Sequence, residues 1–149
     1  AKGREVLEHS LRPSEGVLSV RTIEIIQRAE ELERKAEKLA VDRLDREDLL
    51  DALADASRAI MLHLRYELRS IPIEEAQERL CKIARVAVST AIVDNRIHEK
   101  VRPEELSRVK EGLLNLLIGL VRVTDVQTAS RVLEALIMRR EITKAKLGS

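Results

Sequence analysis

Aromatic side chains are all but missing from this chain, which has one tyrosine, Tyr66, and neither phenylalanine nor tryptophan. Its core must be assembled from Leu, Ile, Val and Ala. That suits close helix packing but leaves few rigid anchors for a small-molecule pocket, and none is expected. Base stacking on aromatic faces is excluded as a main binding mode for the same reason. Cysteine is equally scarce: the lone Cys81 excludes an internal disulfide and any site built from several thiolates, and it points to a reducing compartment. Three prolines and five glycines in 149 residues punctuate the chain so rarely that long regular elements are expected. The longest apolar run, around residues 113–121, is broken by Asn115 and falls far short of the roughly 20 residues that a membrane span needs. With no leader peptide visible, a cytoplasmic, non-membrane protein is expected.

What the chain has in quantity is charge. Charged residues make up 36% of it, yet they nearly cancel, leaving a formal net charge of +1. Residues 1–80 hold 14 basic and 18 acidic side chains, whereas residues 81–149 hold 13 basic and 8 acidic. The basic excess of the second half is too small to define a nucleic-acid protein by itself. Abundant Arg and Glu beside scarce Asn, Gln, Met and Cys match the composition of heat-adapted proteins, so a thermophilic source is expected.

No stretch alternates with period two for the length of a strand, and the apolar residues recur with helical spacing. The fold class expected is all-α: an antiparallel bundle of four to five helices in one domain spanning 1–149, with helix pairing between two copies. Residues 1–18 read as a short N-terminal helix and loop, and residues 146–149 as a tail appended in cloning. A first long helix, about 21–44, carries a narrow stripe of Ile25, Ala29, Leu32, Ala36 and Leu39. Asp45 reads as the N-cap of a second, which runs to about Ser70. The third follows Pro72, with Ala76, Leu80, Ala84, Ala87, Val88 and Ala91 on a wide small-residue face, and reads as the central helix. Pro103 opens the fourth. Thr124 and Gln127, in the run TDVQ, read as a capping box opening the fifth.

Candidate chemistry is thin. Arg58 and His63 have the Arg-x4-His spacing that resembles HEPN-type ribonucleases, a resemblance implying a helical dimer that cleaves RNA. On a straight helix, however, the two residues point about 140° apart and cannot converge on one phosphate. The run YELRSIP resembles the phosphoacceptor core of sensor histidine kinases, but Tyr66 stands where the histidine would be and no glycine-rich nucleotide site follows. Glu30, Glu33 and Glu37, with Asp48, Asp51 and Asp55, resemble the magnesium-holding helices of all-α nucleotide pyrophosphohydrolases. Their spacing differs from that family's, and solvated faces with i,i+4 ion pairs account for them. His9, His63 and His98 lie in separate segments without metal-ligand spacing. Neither a metal, a cofactor nor a catalytic residue is expected.

Two surfaces remain. The fourth helix carries LLNLLIGLVRV, too apolar around its circumference for the surface of a monomer, with Gly112 and Gly119 seven residues apart on nearly one face. Glycine costs roughly 1 kcal/mol against alanine inside a helix, a cost tolerated where another helix must come close. Gly112, Leu114, Leu117, Ile118 and Val121 are therefore the expected partner interface. Arg96, Lys100, Arg102, Arg108 and Lys110 gather near one loop and form the candidate nucleic-acid patch. The expected function is a non-catalytic scaffold or adaptor subunit that self-associates as a homodimer or binds another protein through apolar helix surface. The alternative is a helical subunit lying on an RNA or DNA backbone within a ribonucleoprotein.

Overall fold

Helices make up most of residues 20–66 and 70–147, the part of the chain that the computed structural model describes. Six occur there: α1 Val20–Glu37, α2 Arg46–Tyr66, α3 Ile73–Asp94, α4 Ile97–Lys100, α5 Pro103–Val123 and α6 Val126–Leu147. The expected four to five become six because the loop after α3 holds a single helical turn, α4, too short for periodicity to register. Its Ile97 is fully buried and ties that loop to the core. The N-terminal element expected over 1–18 lies outside the described residues, as do Gly148 and Ser149. Lys146 and Leu147 belong to α6.

Local chemistry sets the boundaries. α1 stops at Glu37 rather than near Leu44 because Val41 and Leu44 exchange backbone bonds across the Asp42–Arg43 turn. The Val41 N–H donates to Leu44 O at 3.1 Å, and the Leu44 N–H to Val41 O at 2.9 Å. That turn delivers Leu44 into the core with no exposed surface. Asp45 then caps α2, accepting the Asp48 N–H on Oδ1 at 3.0 Å. At α6 the cap is Asp125 and not Thr124: Asp125 accepts both the N–H and the hydroxyl of Thr128, each at 2.8 Å. Thr124 instead closes α5, donating its hydroxyl to Leu120 O at 2.6 Å. Aspartate wins the position because its second oxygen satisfies two donors at once. The same bonds, the backbone N–H foremost, hold its carboxyl below the usual range.

α2, not α3, is the central helix, with α3 along one side, α6 along another and α1 against it, while α5 covers α3 and touches α1. Ile25, Ile26, Leu49, Leu53, Ile60, Leu80, Leu113 and Leu133 are among the members of one continuous aliphatic core. α3 contributes Ala76, Leu80, Ala84, Ala87, Val88 and Ala91 to it, as its small-residue face predicts, but leaves Val86 and Val93 largely in water.

Candidate functional site

The expected interface on α5 is packed inside the chain. Leu114 and Leu117 are each 1% exposed and Val121 is also buried, so no second copy is needed to cover them. Ile118 is half-buried against the same core. Gly112 faces Leu39, the side chain just past α1: a Cβ built on it would stand 2.6 and 2.7 Å from the two Leu39 methyls. The close approach that this glycine permits is therefore internal. Gly119, one heptad on, has nothing within 4 Å of the corresponding position. It lines a shallow groove of about 430 Å³ between α1 and α5, edged by Arg28, Glu31, Lys35 and Asn115.

The basic patch is divided as well. Lys100 donates to Asp48 at 2.8 Å, which raises its pKa and commits it to the α2 side of the bundle. Arg102 stands at the start of α5, where its backbone N–H donates to the Glu105 carboxylate at 3.1 Å. Arg96, Arg102 and Arg108 are exposed, and Lys110 is half-buried. The basic C-terminal helix is still more engaged. Arg139 holds Glu33 of α1 at 2.8 Å, and Arg140, only 6% exposed, bridges Glu47 and Asp51 of α2.

Those same bonds account for the carboxylates. α2 is packed on both faces, so Asp51 does not meet only water; it meets Arg140 at 2.8 Å and Lys144 at 3.1 Å. Burial pushes its carboxyl up, but the two cations outweigh burial and hold it below the usual range. Burial likewise lowers the Arg140 pKa, and its bonds to Asp51 and Glu47 raise it on balance. Among the described residues no cluster of three or more His, Cys, Asp or Glu is arranged to hold a metal. No helix there is long and apolar enough to cross a membrane.

The feature that sequence reasoning missed is the seam between α2 and α3. The two helices run antiparallel, registered by Asn95, whose Nδ2 donates to Asp55 of α2 at 2.9 Å. Between them opens an apolar groove of about 670 Å³. Its walls are low because they are built from Ala59, Ala87 and Ala91, and its rims carry Leu62, 57% exposed, and Val86, 68% exposed. Beyond Leu62 a second groove of about 250 Å³, lined by Met61, Ile137 and Met138, continues the apolar surface toward α6. Charge marks the ends: Asp55 and Asp94 lie at one, His63 and Lys82 at the other. A signal existed in the sequence, since Leu62 and Val86 both fall off the core stripes of their helices, but single exposed aliphatics are common and carried no weight alone.

Arg58 and His63 both line this groove. The Arg58 guanidinium holds Asp55 at 3.3 Å and Glu141 of α6 at 2.6 Å. His63 is half-buried at the rim, the boundary position expected for an imidazole that packs its ring and keeps one edge wet. The chain matches no family model, no curated protein and no solved structure.

Proposed function

We propose that this chain is a non-catalytic scaffold or adaptor subunit that self-associates through apolar helix surface, and that the surface is the α2–α3 groove rather than α5. The observation that carries the reading is the pairing of Leu62 and Val86, both more than half exposed, over a trough of alanines. Large aliphatics left in water beside small ones make a ridge and a valley, the relief into which another helix packs. Arg58, on the groove wall, is committed to Asp55 and to Glu141 of α6, which favours a structural role for that residue.

Covering the exposed parts of Leu62 and Val86 in two copies contributes about 4 kcal/mol, from the roughly 1.5–3 kcal/mol that full burial of such a side chain is worth. Taken alone that matches only millimolar affinity before the cost of association is met, so a dimer requires the alanine trough and the rest of the groove to be buried with them, and weak association is expected. Sedimentation from about 10 µM to about 1 mM covers association of that strength and should show the wild-type chain passing from monomer toward dimer. The double variant Leu62→Glu, Val86→Glu should stay monomeric with unchanged helix content. A wild type that is monomeric throughout, or a variant that still dimerises, would count against the reading.

A further inference from the structure

α3 carries along its exposed side the ridge Lys82, Val86, Thr90 and Asp94, four residues in i,i+4 steps and all in water. Its two ends have opposite charge, and among the described residues neither Lys82 nor Asp94 has an ion-pair partner. Asp94 is also badly placed for its own helix: it is the last residue of α3, where the dipole disfavours a carboxylate, and α3 has no basic side chain in its final turn. A cation from outside the chain would answer that charge.

The ridge is complementary to its own reverse, base against acid at both ends. Lys82 and Asp94 are twelve residues apart, about 18 Å along the helix axis, with Val86 and Thr90 placed symmetrically between them. Ridges in i,i+4 steps run oblique to the helix axis, so with the two copies of α3 antiparallel and crossed at about 50° a two-fold axis through the midpoint sets Lys82 of one copy against Asp94 of the other, and Asp94 against Lys82, while each Val86 enters the trough beside the other copy's α3. We infer that the occupant of the groove is this ridge of a second copy, laid antiparallel, with Lys82 and Asp94 fixing the direction. The inference rests on the self-association proposed above and adds its geometry. A two-fold contact of this kind closes on itself and stops at a dimer. Charges at its rim select orientation more than they add affinity.

The test is a charge exchange read by sedimentation. In homodimers of Lys82→Glu, or of Asp94→Lys, both end contacts become repulsive, and each variant alone should associate about tenfold more weakly than wild type. Mixing the two restores both contacts in a heterodimer, so the equimolar mixture should associate within about threefold of wild type. The double variant Lys82→Glu, Asp94→Lys should also recover. Lys82→Gln and Asp94→Asn, gentler on the helix, should show the same order with smaller losses, and circular dichroism checks that all remain folded. Dimerisation that depends on Leu62 and Val86 but is indifferent to these charges, or single variants that the mixture does not rescue, would overturn the antiparallel arrangement and leave the groove reading standing. A monomeric wild type would end both.

Discussion

Gly112 and Gly119 look equivalent in the sequence, and the fold predicts that only Gly119 will gain from alanine. A methyl group at Gly119 meets nothing within 4 Å, so Gly119→Ala gains only the helix propensity difference, about 0.8–1.0 kcal/mol. For a chain of this length that raises the melting temperature by roughly 2–4 °C. At Gly112 the same gain is opposed by a Cβ 2.6 Å from a Leu39 methyl, closer than real contacts allow. Overpacking of this kind costs about 1–3 kcal/mol, which leaves Gly112→Ala between neutral and a loss of about 2 kcal/mol. Leu39→Ala removes the obstacle, so in that background Gly112→Ala should become stabilising, with a coupling of at least about 1 kcal/mol in the double-mutant cycle. Thermal or urea unfolding of the wild type and these four variants measures all of this. A stabilising Gly112→Ala in the wild-type background, or a destabilising Gly119→Ala, would refute the packing described for α5.

Other expectations follow from the ion pairs and the backbone. Arg140→Ala strips Glu47 and Asp51 of their shared, nearly buried cation and should cost about 2–3 kcal/mol in urea unfolding, less than for a fully buried pair because Lys144 still reaches Asp51. Asp51 and Asp125 have depressed folded pKa values, so their stabilisation is present above the unfolded aspartate value, about 3.9, and is lost as pH falls through the folded values. Melting temperature should therefore drop on acidification below about pH 4.5, and the drop should be shallower in Asp51→Asn. Arg96 adopts φ 56°, a left-handed conformation that favours glycine, and Arg96→Gly should stabilise by about 0.5–1 kcal/mol. Purified protein should show no RNA cleavage, and so none that His63→Ala could abolish.

Much of the architecture was legible because helical periodicity and end chemistry act locally. The stripes at Ile25–Ala29–Ala36 and Leu80–Ala84–Val88–Ala91 are buried as their spacing requires, and Asp45 caps α2. What failed depended on which helix lies beside which. The apolar girth of α5 implied a second copy only if α3, α1 and the Leu39 turn were not there to cover that helix, and no local pattern reports that. Asp51 was assigned to solvent because α2 was given one packed face, whereas α6 brings Arg140 and Lys144 to the other. The groove was invisible for the same reason: Leu62 and Val86 are unremarkable singly and become a surface only when α2 and α3 stand side by side.

A dilution series followed by methyl NMR separates the two candidate surfaces in the wild-type protein. As the chain is concentrated, the methyl resonances of Leu62 and Val86 should shift or broaden together along one binding curve, with those of Ala59 and Thr90 following, while Leu114 and Leu117 stay fixed in the core. Concentration-dependent shifts confined to Leu116, Ile118 and Val123 on α5, or no shifts at any concentration, would contradict the assignment of the α2–α3 groove as the working surface of this protein.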